Sequence, residues 1–200
     1  HQALERGTMI ITEVSEQGSV PHLLATNKGP WPVLIFDGEE LVGAKQNRIA
    51  NTTILVSVGE VVLPVSCVEA GRWSHHTRTF DSGAYASHPK LRSEKGMQVH
   101  AYMMAEKSAR AASFDPAVET QLQRAGKFHS DQGAIWDEVS RTQAQMGVAS
   151  PTSALADTFE AGKENLEKIV RALALPSAPA HNGTHRTGRP VGVVVFLGGN

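Results

Sequence analysis

Residues 38–73, GEELVGAKQNRIANTTILVSVGEVVLPVSCVEAGRW, set apolar runs beside a dense group of acids, amides, cations, a thiol and an indole. Within them Ile54 to Val56 and Val61 to Val65 read as strands, because β-branched residues cluster there and Val58-Gly59 supplies a turn between them. Pro64 marks an edge or a bulge, since proline cannot donate to a ladder. An antiparallel sheet is expected, and the flanking sequence extends it.

Upstream, Met9 to Val14 (MIITEV) and Val20 to Thr26 read as strands around a Gly18-Ser19 turn. Asn27-Lys28-Gly29-Pro30 turns the chain again. Val33 to Phe36 (VLIF) is a continuous apolar run, predicted to be buried on both faces and closed by Asp37-Gly38. The expected class is α+β, with an N-terminal antiparallel sheet that can curl into a sandwich, followed by a helical half and a late strand.

The helical half begins after residue 80. Pro89 to Ala112 is rich in helix formers, with Gly96 as a weak point of about 1 kcal/mol. Asp115-Pro116 caps a short helix toward Arg124, and Ser130 caps another in which Ile135, Val139 and Met146 recur at helical spacing before Gly147. Thr152 to Ala174 reads as the longest helix, with an apolar stripe of Leu155, Phe159, Leu166, Ile169, Val170 and Leu173 interrupted by Gly162. Residues 175–190 read as a mobile linker, and Val191 to Leu197 as a strand. His1 to Gly7 resembles the last turns of a helix, and Gly198-Gly199-Asn200 resembles a turn without a return strand. The expectation is one domain, 1–200, cut from a longer chain.

At 200 residues and 40% hydrophobic the chain can bury one full core. Nineteen cations against 20 acids leave no global field for bulk nucleic acid or an anionic membrane, so anion recognition must be local. Cys67 is the only cysteine and excludes an internal disulfide framework, which fits a reducing, cytoplasmic location. No apolar run reaches the roughly 18 residues of a membrane helix, and the Asn51 and Asn182 sequons read as chance. His75, His76, His88, His100 and His129 lack metal-site spacing, and His181 and His185 fall in the linker, so no metal site is expected.

If Ala44 to Thr53 is extended, Gln46 and Arg48 share one face and Lys45, Asn47 and Asn51 the other. Polarity on both sides means either a solvated edge or a strand lining a wet cavity. The amides offer paired donors and acceptors, and Arg48 a planar fork suited to phosphate or carboxylate. Val65, Cys67 and Glu69 share a face in extended geometry, and Gly71 lets Arg72 and Trp73 turn in. Cys67 reads first as a small buried hydrophobe and second as a nucleophile. Glu39, Glu40 and Glu69 suit ribose hydroxyls or acid–base work, against the simpler reading that Glu69 pairs with Arg48 or Arg72. Trp73 suits stacking on a base or sugar, against core packing. Asp131 and Gln132 open a helix and either serve its dipole or face the polar strand.

The segments ITEVSEQGSVPHL, GEELVGAKQNRIANTTILV, LPVSCVEAGRW, SDQGAIWDE and SPTSA resemble the bacterial family described as the ADP-ribosylglycohydrolase- and rhodanese-phosphatase-associated protein domain, from Ile10 to about Leu173. The resemblance implies a tie to ADP-ribose or nucleotide metabolism and assigns neither reaction nor cofactor. Its motif positions are Glu39, Glu40, Gln46, Asn47, Arg48, Cys67, Glu69, Arg72, Trp73, Asp131 and Gln132. The expectation is therefore a site for an ADP-ribose-like ligand, bound and either hydrolysed or not. Lys45, Arg48 and Arg72 face its phosphates, Gln46 and Asn47 orient it, and Glu40 and Glu69, or Cys67, carry any chemistry. The alternative is a non-catalytic module whose polar strand pairs with a partner protein.

Overall fold

A computed structural model describes residues 2–111 and 128–173. The fold is α+β: antiparallel strands come first and helices follow. Six strands close into a barrel in the order β1 (Met9–Glu13), β2 (His22–Asn27), β7 (Gly59–Cys67), β5 (Arg48–Ala50), β4 (Glu39–Gly43) and β8 (Phe80–Ala86). Every pairing is antiparallel, and Ile11 opposite Phe80 closes the ring. The antiparallel sheet foreseen from the sequence is thus present, closed into a barrel rather than curled into a sandwich, with every strand paired to a neighbour on each side.

Strand alternation fills the barrel. Met9, Ile11, Leu23, Ala25, Leu41, Ala50, Leu63, Val65 and Phe80 all point inward and are buried. Burying each of the larger ones stabilises the fold by roughly 1.5–3 kcal/mol, and Leu41→Ala in so closed a space costs about 2–5 kcal/mol. Pro64 lies one residue beyond the last β5 pair, Ala50 opposite Val65, where a missing N–H interrupts the ladder least.

The outer face of β5 and the residue that follows β7 carry a second core. Ile49 and Val68 pack with Leu91 of α2 (Pro89–Ala111), Ile135 and Val139 of α3 (Gln132–Met146), and Leu155 of α4 (Leu155–Ala172). Before them, α1 (Gln2–Glu5) is a single turn closed by Gly7 at φ +65°. In α2 the buried positions Leu91, Lys95 and Val99 recur every four residues. Lys95 is tolerated there because its ammonium pairs with Asp37 and donates to the Asn51 carbonyl at 2.9 Å. The N-cap of α3 is Asp131, not Ser130: its carboxylate accepts from the Ala134 N–H at 3.2 Å, while Ser130 is buried against Ser66. Gly147 at φ +65° ends α3 as foreseen.

α2, with 23 residues, is longer than α4, with 18. The described residues up to Lys163 form one compact unit, and those from Glu164 belong to a second. In the first, Leu155 and Thr158 are buried and Phe159 stacks on Tyr85 with ring centres 4.9 Å apart. In the second, the described end of α4 leaves Ile169, Val170 and Leu173 exposed, so the predicted apolar stripe is not buried along its length. The expected short helix toward Arg124, the linker 175–190 and the strand from Val191 lie outside the described residues.

β3 (Val33–Ile35) and β6 (Ile54–Val56) form a separate two-stranded ribbon. The expectation that 33–36 is buried on both faces fails, because a ribbon covered on one side can hide only alternate residues. Ile35 and Val56 are buried, while Leu34, its partner Leu55, and Phe36 are exposed. Among the described residues no helix is long and apolar enough to cross a membrane.

Candidate functional site

Residues 44–47 are not a strand but a buried turn joining β4 to β5. Gly43 (φ +134°) and Ala44 (φ +39°) bend the chain there, and a Cβ on Gly43 would lie 2.6 Å from both Thr77 Oγ1 and the Thr79 carbonyl oxygen. The polarity of Lys45, Gln46 and Asn47 on every side therefore reflects neither a solvated edge nor a strand along a cavity. Their polar groups face other parts of the protein.

The partner is the turn after β7. The Glu69 carboxylate accepts from Arg72 Nε at 2.9 Å and Nη2 at 2.7 Å, from the Asn47 N–H at 3.0 Å, and from the Thr152 hydroxyl at 2.8 Å. Burial pushes its pKa up, but these donors outweigh it and hold Glu69 below the usual carboxylate value. Arg72 also donates to the carbonyls of Ala44 (2.6 Å), Ser74 (3.1 Å) and Gly43 (3.3 Å) and to Asn47 Oδ1 (3.2 Å). Gln46 donates to the Glu69 carbonyl at 2.9 Å. Gly71 permits this closure, since a Cβ there would come within 2.9 Å of Thr152 Cα. Glu69 and Arg72 thus form the pair allowed for in the sequence, and together they fasten the two motif turns to each other.

Arg48 has a different environment. It begins β5 opposite Cys67, on the inward face with Leu41, and its side chain is 0% exposed. Nη1 donates to Gln46 Oε1 at 3.1 Å, while Nε and Nη2 have no hydrogen-bond partner among the described residues. Burial lowers its pKa, and the neighbouring Cys67, Glu13 and Glu69 oppose that shift. Glu13, on the same inward alternation as Met9 and Ile11, likewise has both carboxylate oxygens buried and unpartnered. Lys45 passes close by: the space above Gly18 lies 3.1 Å from Lys45 Cδ and 3.2 Å from Glu13 Oε2. Its ammonium is held by the Gln17 carbonyl at 2.7 Å.

Trp73 lies beside both cations, with Lys45 Nζ 5.2 Å and Arg48 Cζ 5.7 Å from its ring. It is 49% exposed and so is not core packing. Glu13 also lines an open cleft of about 690 Å³ together with Thr12, Ser15, Glu16, His75 and Arg78. That volume falls within the roughly 300–1,000 Å³ of small-molecule sites.

The remaining candidates lie apart. Cys67 is fully buried, and burial raises its thiol pKa despite the opposing Arg48 charge, which disfavours the thiolate a nucleophile needs. Glu40 pairs with Ile49 on the outer face, across the sheet from Arg48. It is 1% exposed, its Oε1 is unpartnered, and burial, followed by the charges of Glu69 and Asp157, raises its pKa from 4.5 to about 7. Glu39 accepts from the Phe36 N–H at 3.1 Å and the Ser82 hydroxyl at 3.2 Å.

Gln132 sits at the open side of β7 beyond the last β2 pair. Its Oε1 accepts from the Cys67 N–H at 2.8 Å and its Nε2 donates to the Cys67 carbonyl at 2.7 Å, as a neighbouring strand would. Glu13 is the residue that sequence reasoning passed over, although its alternation with Met9 and Ile11 already placed it inside. Among the described residues no cluster of His, Cys, Asp and Glu could hold a metal ion.

The model of one protein family, the ARG and Rhodanese-Phosphatase-superfamily-associated Protein domain, matches residues 1–200. No curated protein and no solved structure matches the chain.

Proposed function

We propose, for a chain that belongs to the ARG and Rhodanese-Phosphatase-superfamily-associated Protein domain family, that the Trp73 end of the barrel binds a small anionic, nucleotide-derived ligand of the ADP-ribose kind. One observation carries this reading: Arg48 is wholly buried and keeps Nε and Nη2 unpartnered. A buried guanidinium with two of its three nitrogens left without acceptors carries an uncompensated desolvation cost, and its Nε–Nη2 edge is the fork that grips phosphate or carboxylate in two parallel bonds. Trp73 above it offers a stacking surface for a base or sugar. Lys45 adds charge at the same end, and Gln46 and Asn47 fix the Arg48 side chain and the turn that carries it. Arg72 and Glu69 support the site by holding both turns, since their polar atoms are already committed to the protein.

Binding is favoured over turnover. The buried thiol of Cys67 is held toward its protonated form, Glu69 is fully hydrogen-bonded, and Glu40, whose proton does exchange near neutrality, lies across the sheet from Arg48. The test is calorimetric titration with ADP-ribose, NAD and AMP on the wild type and on Arg48→Met, with thermal unfolding as the control for folding. Saturable binding should weaken roughly 30-fold in the variant, the loss of about 2 kcal/mol from a charged hydrogen-bonded contact. No binding of any of the three by the wild type would overturn the reading.

The alternative, a protein-interaction module, finds its support away from the polar turns, which are buried. The ribbon of β3 and β6 exposes Trp31, Leu34, Phe36, Leu55 and Val58 around one cross-strand pair.

A further inference from the structure

We infer that the Glu13 carboxylate recognises a vicinal diol on the ligand, so that the unit bound is a ribose phosphate with both ring hydroxyls free; this rests on the binding reading above. The Glu13 side chain belongs to the barrel's inward face, but unlike its neighbours Met9 and Ile11 it carries two acceptors, and both are buried and unpartnered. A neighbouring cation does not satisfy it: Lys45 Cδ and Glu13 Oε2 both border the space above Gly18, yet the Lys45 ammonium bonds the Gln17 carbonyl. Arg48 lies within electrostatic reach and makes no salt bridge with it, keeping two donors unpartnered of its own.

Two unpartnered donors thus stand near two unpartnered acceptors at one end of the barrel. A ligand that completes both must carry an acidic oxygen pair and, beside it, a pair of hydroxyl donors. A phosphate meets the Nε–Nη2 fork of Arg48, and adjacent hydroxyls each donate to one oxygen of a carboxylate. A ribose phosphate has both groups on one small skeleton. Glu13 also borders the cleft of about 690 Å³ lined by His75 and Arg78, which has room for a larger group attached to such a ligand.

The test compares ribose 5-phosphate, 2-deoxyribose 5-phosphate and ADP-ribose by calorimetry on the wild-type chain and on Glu13→Gln, with thermal unfolding monitored for both. The wild type should bind ribose 5-phosphate at least tenfold more tightly than the deoxy sugar, which lacks the diol. Glu13→Gln should reduce that ratio to within about threefold while still binding phosphate-bearing ligands through Arg48. Two results would overturn the inference and leave the binding reading standing: equal affinity of the wild type for the two sugars while ADP-ribose binds, or a ratio that survives Glu13→Gln. In the latter case the carboxylate merely offsets the Arg48 charge. Failure of the wild type to bind any of the three would remove the binding reading and this inference together.

Discussion

Replacing Glu40 by glutamine should make the protein more stable, by an amount that grows as pH rises from about 4.5 to about 7 and then stays constant. The side chain is 1% exposed, and its pKa is raised from 4.5 to about 7, first by burial and then by the Glu69 and Asp157 charges. A carboxyl with a higher pKa in the folded state than in the unfolded state binds protons more readily when folded. Its ionisation therefore costs nothing below pH 4.5, where both states are protonated. The cost grows as pH rises toward 7 and is constant above it. The gap between 4.5 and about 7 corresponds to about 3 kcal/mol.

Glutamine has the shape of the protonated acid and cannot ionise. Glu40→Gln should thus match the wild type at pH 4.5 and exceed it by about 3 kcal/mol at pH 8.5. Urea unfolding at half-unit pH intervals measures both proteins. The difference between them isolates Glu40 from the other titrating groups, because both proteins share those. A difference that does not change between pH 4.5 and 8.5 would refute the reasoning, and a variant less stable at pH 8.5 would show that the ionised carboxylate has a stabilising partner.

Two further outcomes concern the hydrogen bonds at and just after the end of β7. Arg72→Ala leaves the Glu69 carboxylate buried without its two strongest donors, and should lower stability by about 3–5 kcal/mol in urea unfolding, with Arg72→Lys restoring only part because an ammonium cannot reproduce the fork. Gln132→Leu strands the N–H and carbonyl of Cys67 and should cost about 2–4 kcal/mol. Amide exchange at Cys67 should rise in that variant by more than the global loss of stability explains.

Much of this architecture is legible in the residues, and the illegible parts share a cause. The first strands and the three long helices follow from β-branched clusters, helix formers, Asp131 and Gly147, which act locally. Closure of the barrel depends on β4, β5 and β8, and these are hidden by chemistry that a local rule assigns elsewhere. Glu39–Gly43 begins with two acids, Arg48–Ala50 is short and headed by a charge, and Phe80–Ala86 holds Ser82 and Gly83. Gly83 is required because a Cβ there would stand 2.9 Å from that of Glu40, a contact no local pattern encodes. The motif residues were identifiable as a group from their types. Which of them hold the fold and which remain available was not, because that depends on Thr152 and Glu13, far away in the chain.

The amide of Gln132 occupying a strand's place on β7 also bears on how the chain is made. All six barrel strands lie between residues 9 and 86, so a nascent chain holds the whole barrel before any of α3 has been synthesised. The exposed N–H and carbonyl of Cys67 then wait for a residue 65 positions later, which at 5–20 residues per second is roughly 3–13 s. During that interval the lip of β7 is an unpaired strand edge, open to any extended segment nearby. Slow translation between Ala86 and Gln132 would lengthen the exposure, and a chain truncated before α3 would keep it permanently.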